Sequence, residues 1–273
     1  MSHTQNAQSV NRCPVVATLL LALTVACHPP SKRIAATLTP TSGPEATTIA
    51  DFSRNLRAGD DLVAMGNEPA WSLTMNPSKN TFRFKTLTGD SITTILPQRL
   101  TDPDGTLRYD VPTDAGRIKL LFRPDSCVDK LSGQRYSYRV EADVRGKTYV
   151  GCGESLRPAL LLNDSWVLTL FDGKPVTAAQ TGRELPRLEI QLSEGRVTGT
   201  TGCNRLTGRV RADGQRVQFG PLATTRMACP GDAGMFESQF LKALEAPLTY
   251  RIGEGQLELL QAGKQRMVFK KVD

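Results

Sequence analysis

The chain has 273 residues, 39% hydrophobic and 22% charged, and its Lys and Arg outnumber its Asp and Glu by 34 to 27 for a formal net charge of +7. That length and hydrophobic content suffice for two domains with cores of their own, and no stretch reaches the roughly 18 consecutive apolar residues of a transmembrane helix. The only histidines, His3 and His28, stand near the start, so the rest of the chain is excluded from Ser-His-Asp catalysis, Cys-His catalysis and histidine-containing zinc sites.

In chain order, Arg12 precedes "PVVATLLLALTVAC", an apolar run long enough for the core of a signal peptide and too short to span a bilayer. Residues 1–26 are expected to be removed. The stretch "LTVAC" resembles the lipobox of bacterial lipoproteins, which implies that Cys27 is lipidated and opens the mature chain. Thr24 stands where leucine is usual, and Thr24-Val25-Ala26 also fits an ordinary secretory cleavage site. His28, rather than aspartate, follows the cysteine, and by the same resemblance this favours the outer membrane over the inner one. Residues 27–59 are predicted to form a flexible tether, because "HPPSKRIAATLTPTSGPEATTIA" is rich in Pro, Thr, Ser and Ala without a sustained apolar period. Such a chain would hold the first folded residue about 25 to 30 Å from the lipid. Arg12 is the only charged residue of the leader, so the mature chain keeps a modest balance of +6. Nucleic acid is not an expected partner, since basic residues are not interleaved with aromatics.

Residues 60–156 read as a β-rich domain of short alternating strands, "AWSLTM", "TFRFKTL", "SITTIL", "TLRYDV", "RIKLLF", "YSYRVEADV" and "KTYVGC", separated by turn signals such as "DPDG" and "TDAG". "RPALLLND" links them to a second β-rich domain over 163–273. Its strands are "SWVLTLFDGKPV", "RLEIQL", "GRVTGT", "LTGRVRA" and "RVQFG", followed after one helix by "LTYRI", "QLELLQ" and "RMVFKKV". The helix is predicted between Pro230 and Pro247, where Phe236, Phe240, Ala243 and Leu244 recur at helical spacing behind Asp232 as N-cap. Its apolar face must lie on the sheet. The fold class expected is therefore mainly β (α+β), with two compact β-rich domains, the second a barrel or sheet carrying one packed helix.

Of six cysteines, Cys13 belongs to the leader and Cys27 to the lipid. Cys127 and Cys152 remain in the first domain and Cys203 and Cys229 in the second, so an oxidising compartment predicts one disulfide in each. No four-cysteine zinc spacing, Ser-x-x-Lys, P-loop or dinucleotide fingerprint occurs, and no metal or cofactor is expected. Glu68, Asp125, Asp129, Glu154, Asp172, Glu189 and Glu237 are the carboxylates from which an acid/base pair could be drawn; as surface charges they simply balance the basic excess. Arg205, Arg209, Arg211 and Arg216 cluster, and the alternation of Arg209 and Arg211 reads as a solvated strand edge.

"GTTGCNRLTG", Gly199 to Gly208, could be a reactive loop, a metal site or a turn. Tied through Cys203 to Cys229, it reads as a stapled turn whose glycines and Asn204 take positive-φ positions and whose Arg205 begins a strand. Together with "TTRMACP", the opening "WVLTL" and the helix ending "FLKALEA", it resembles the META/HslJ domain family over Asp164 to Val272. That resemblance implies a compact β-rich fold with one helix, in bacterial envelope lipoproteins linked to heat shock and novobiocin resistance and without established enzymatic activity. It makes Asn204, Arg205 and Arg226 candidate binding residues. "GNEPAWSLTM" and "CVDKLSGQRYSYRVEADVRGKTYVGCG" resemble an uncharacterised lipoprotein domain that often accompanies META domains, with Ala70 and Leu131 departing from its pattern. Ser132-Gly133-Gln134-Arg135-Tyr136 also fits the Ser-Gly-x-x-Tyr strip of membrane-bound lysozyme inhibitors, which makes Ser132, Gly133 and Tyr136 the alternative site; as ordinary turn chemistry the strip is only a β-turn. The expectation is a non-enzymatic, lipid-anchored outer-membrane protein facing the periplasm, with an envelope protein or a small apolar or anionic ligand as partner.

Overall fold

The computed structural model describes residues 48–114 and 116–272. The leader, Cys27 and the tether up to residue 47 lie outside the described residues. The predicted flexible stretch does not run to residue 59, however. Ile49, Ala50, Phe52 and Leu56 are buried, and helix α1 (Ser53–Ala58) closes on Gly59 in the left-handed region. The four apolar side chains are spaced too irregularly to announce an element by period, but they find apolar partners in the folded body.

The first half is a nine-stranded antiparallel sheet. Its strands are β1 (Leu62–Asn67), β2 (Ala70–Asn76), β3 (Thr81–Thr86), β4 (Ser91–Ile95), β5 (Arg99–Thr101), β6 (Leu107–Thr113) and β7 (Gly116–Arg123), then, after the small pair β8 (Cys127–Val128) and β9 (Arg135–Tyr136), β10 (Tyr138–Val144) and β11 (Lys147–Ser155). The spatial order β4-β3-β2-β1-β11-β10-β7-β6-β5 departs from a meander at one place, where β11 returns to pair with β1. The sheet curls into a half-barrel, so that the Thr94 hydroxyl of β4 donates to the Pro112 carbonyl of β6 at 3.4 Å. Strict alternation along the strands sends Leu73, Met75, Phe82, Phe84, Val111, Ile118, Leu120, Phe122 and Val140 to one buried face. Trp71 stacks on Phe84 there, and its indole N–H donates to the Val150 carbonyl at 3.1 Å.

The segment read as a linker forms the short helix α2 (Arg157–Leu160), with Ala159 and Leu162 fully buried. Beyond it come β12 (Ser165–Phe171), β13 (Lys174–Pro175), helix α3 (Ala178–Thr181), β14 (Arg187–Gln191), β15 (Arg196–Thr200), β16 (Arg205–Ala212), β17 (Arg216–Thr224), helix α4 (Ala233–Leu244), β18 (Leu248–Gly253), β19 (Gln256–Gln261) and β20 (Lys264–Val272). β12 pairs with both β14 and β20, so eight strands close into a barrel. Closure pairs most strands on both sides, with β17 meeting β18 only at Arg216 and Val217. β16, whose arginines suggested a strand edge, pairs with β15 on one side and β17 on the other, and Arg209 simply faces solvent from the barrel wall. The interior is packed with Trp166, Leu168, Leu188, Ile190, Val197, Leu206, Val210, Phe219, Leu257, Leu259, Met267 and Phe269. α4 starts after Asp232, whose carbonyl rather than side chain engages the first turn, and adds Phe240, Ala243 and Leu244 to the same core.

Most buried apolar side chains of the first half form a cluster of their own, and a few join the cluster of the barrel. Tyr136, Cys127 and Cys152 of the first share one apolar cluster with Leu156, Ala159, Leu162 and the barrel residues. α1 packs against both halves: Phe52 meets the Tyr136 ring edge-on at 6.3 Å, the Arg57 guanidinium donates to the Ser193 carbonyl at 2.8 Å, and Asp51 lies 3.9 Å from Arg211.

Candidate functional site

The stapled turn is built as a joint, and its chemistry is spent on the fold. Cys203 and Cys229 are disulfide-bonded, as are Cys127 and Cys152, with Cα separations of 5.8 and 5.4 Å. Gly202 takes φ 97°, and a Cβ there would stand 2.5 Å from the Thr181 Cβ and 2.6 Å from the Glu184 carbonyl oxygen. Asn204 is not a positive-φ residue, contrary to the sequence reading. It is a buried hub. Its amide N–H group donates to Glu237 of α4 at 3.0 Å and its carbonyl oxygen accepts from the Thr225 hydroxyl and the Met227 N–H, each at 2.8 Å. The Thr201 hydroxyl adds a short bond to Glu237. Turn, post-β17 loop and helix are thereby clamped together, and Asn204 has no capacity left for a ligand. Arg205 does begin a strand and is exposed; Arg226 is exposed in the loop after β17.

Beside this joint the outer wall of the barrel carries a groove of about 770 Å³ lined by residues of β14 to β17 and by Glu184. Burial alternates along β14, leaving Arg187 and Glu189 outward while Leu188 and Ile190 face the core. Register then sets two rows across the wall. Arg187 stands opposite Thr200, which stands opposite Arg205; Glu189 stands opposite Thr198, which stands opposite Thr207. The Thr198 hydroxyl donates to Glu189 at 3.3 Å, and Thr200 accepts from the Gly202 N–H at 3.0 Å. The approach of β15 to β14 is close: a Cβ on Gly199 would lie 1.9 Å from the Arg187 carbonyl oxygen. Arg205 was a candidate from sequence. Arg187 was not, although the alternation of "RLEIQL" already assigns it to the polar face.

In the first half, Ser132 and Gly133 are exposed in a turn that Asp129 organises, accepting the Ser132 N–H at 2.9 Å. Hydrogen bonds from Ser132 hold the Asp129 carboxyl below its ordinary range. Tyr136, by contrast, is 3% exposed, packed on Phe52 and bonded to Gln134 at 3.2 Å. A contiguous Ser-Gly-x-x-Tyr contact strip is therefore not presented, because the apolar junction takes the tyrosine.

The candidate carboxylates are dispersed among ordinary partners: Asp125 with Arg139, Asp172 with Arg266, Glu237 with Asn204. Glu154 differs from them. At 1% exposure it sits where the halves meet, accepting the Ser137 N–H and hydroxyl, each at 2.9 Å, and the Gly214 N–H of the β16–β17 turn at 3.2 Å. Burial, together with the charge of Asp213, pushes its carboxyl up to about 7. Asp213, also buried, is paired with Arg216 at 2.7 Å, and Arg216 in turn donates to the Arg135 carbonyl at 3.0 Å. The Tyr250 hydroxyl donates to the Asp213 carbonyl at 2.7 Å. A cleft of about 270 Å³ opens beside this network, lined in part by Arg135, Ser137, Tyr138 and Asp213. Among the described residues no three His, Cys, Asp or Glu side chains gather as metal ligands.

The model of the family described as META domain matches residues 159–273. Two solved structures are similar to part of the chain. One, an NMR structure, is 26% identical, covers 42% of this chain and 93% of its own, and has a TM-score of 0.34. The other, an NMR structure of a protein from Burkholderia xenovorans, is 29% identical, covers 44% of this chain and 89% of its own, and has a TM-score of 0.35. No curated protein matches the chain. The C-terminal part of the chain that holds the closed barrel, the packed helix and the stapled turn is the part that matches the META domain family, over residues 159–273.

Proposed function

We propose that the chain is a lipid-anchored, periplasm-facing outer-membrane protein that works as a non-enzymatic binding or interaction module in envelope stress tolerance. The observation that carries this reading is the pair of local disulfides, one per half, which forms and persists in an oxidising compartment. The signal-peptide pattern and the lipobox-like "LTVAC" supply the export route and the anchor. The barrel lumen supports the binding role in another way. Its interior is packed with its own apolar side chains, which favours recognition at the outer wall and the loops.

Mass spectrometry of the mature N-terminus tests the proposal. A diacylated or triacylated Cys27 as first residue is the expected result. An unmodified Cys27, or a mature chain opening elsewhere, removes the anchor and with it the outer-membrane assignment.

A further inference from the structure

We propose that the outer-wall groove of the barrel binds an extended peptide segment bearing an acidic residue and, two positions along, a basic one. The assignment rests on the reading of the chain as a binding module and names what one of its surfaces recognises. Arg187 and Arg205 share with Arg83, Arg145 and Arg251 the lack of an ion pair or side-chain hydrogen bond among the described residues, and they differ from those in lining one groove with Glu184 and Glu189.

Neighbouring strands lie about 4.8 Å apart, so the two arginines flank Thr200 with their backbones roughly 9.6 Å apart. Their long side chains can close on a single carboxylate between them, and fork-shaped guanidinium groups suit that geometry. Thr200 accepts from Gly202, which leaves its hydroxyl hydrogen to donate outward to the same anion. The second row, Glu189, Thr198 and Thr207, lies two residues along the strands, about 6.6 Å away. That is also the spacing of same-face side chains at i and i+2 in an extended peptide. An acidic side chain over Thr200 therefore brings a basic one beside Glu189.

Two further features narrow the occupant. β14, β15 and β16 are paired on both sides along this wall, so a peptide lying across them is read through side chains and not by strand addition. Glu184 and Glu189 at the same groove disfavour a continuous polyanion, which separates this site from a nucleic-acid or anionic-membrane surface. With solvent-exposed pairs and no aromatic anchor, half-saturation is expected at about 0.1 to 1 mM.

The test is fluorescence anisotropy of labelled Thr-Glu-Thr-Lys-Thr titrated with the full mature chain in mild detergent. Binding weakened by about tenfold in Arg187→Glu and Arg205→Glu, and by a similar factor when the peptide glutamate is replaced by Gln, supports the assignment. A Glu189→Lys variant that comes to prefer Thr-Glu-Thr-Glu-Thr supports it independently, through a gain and not a loss. Circular dichroism of each variant checks that these exposed substitutions leave the fold intact. Three outcomes overturn it: no binding up to about 5 mM, equal binding of the Gln peptide, or arginine variants that lose only affinity for phosphatidylglycerol vesicles. Because Cys27 is read separately, absent peptide binding with a lipidated Cys27 removes the groove assignment and leaves the envelope reading standing.

Discussion

Replacing Glu154 by Gln puts the junction between the halves to a quantitative test. The buried carboxyl titrates near 7 in the folded chain against an ordinary 4.5. A carboxyl raised in this way stabilises the fold fully below its unfolded value, and that contribution is lost as pH rises through the folded value. A displacement from 4.5 to about 7, at about 1.4 kcal/mol per unit, makes the full loss about 3.5 kcal/mol, spread from near pH 4.5 to above pH 7. Hydrogen bonds from Ser137 and Gly214 offset it only in part, and the charged groups facing Glu154 explain why no cation completes the compensation. Asp213 is negative and its nearby cation, Arg216, is already committed to it, while Tyr136, Tyr138 and Tyr250 are phenols whose own ionisation burial opposes. Glu154→Gln removes the charge and one accepted hydrogen bond, so it should cost about 1 kcal/mol at pH 5 and become stabilising at pH 8. Urea unfolding followed by tryptophan fluorescence reads both halves, since Trp71 and Trp166 are buried one in each. Wild type should lose about 2.5 kcal/mol more than the variant between the two pH values. Parallel pH profiles for the two proteins would refute the reasoning.

Two further substitutions probe the joints of the fold. Asn204→Leu strands the Met227 N–H and the Glu237 carboxylate, both partners of the buried amide. It should lower unfolding free energy by about 3 kcal/mol in urea titrations; a loss below about 1 kcal/mol means that loop and helix are held by other contacts. Phe52→Ala empties the site where α1 meets Tyr136 and should cost about 3 kcal/mol in the same assay. An unchanged stability would show that residues 48–58 contribute nothing to joining the halves.

Much of the second half was legible in the chain. "RLEIQL" alternates cleanly because one face of its strand is buried in the barrel, and it, "GRVTGT", "QLELLQ" and "RMVFKKV" each stand within a residue or two of their predicted places. α4 was legible for the same reason at the other period. β1, in "LVAMGN", escaped because Leu62, Val63 and Ala64 are buried on both faces, which erases alternation. α1 and α2 escaped because helices of six and four residues are too short to display a period. The separation into two domains was read from a break in strand grammar, whereas burial of Tyr136, Leu156 and Leu162 in one cluster is a long-range fact.

For the candidate site the division is sharper. Residue types and local spacing determined the mainly β class, the helix, the disulfide pairs and the META resemblance, since these depend on neighbours a few residues away or on cysteine counts. Only the tertiary structure decided the rest. Asn204 became a buried clamp instead of a contact residue, Tyr136 was withdrawn from the surface, and one of seven scattered carboxylates was isolated at a junction. It also set Arg187 and Arg205, 18 positions apart, on either side of Thr200. Register, closure and burial are properties of strands meeting from distant parts of the chain, and no local period encodes which side chains they bring together.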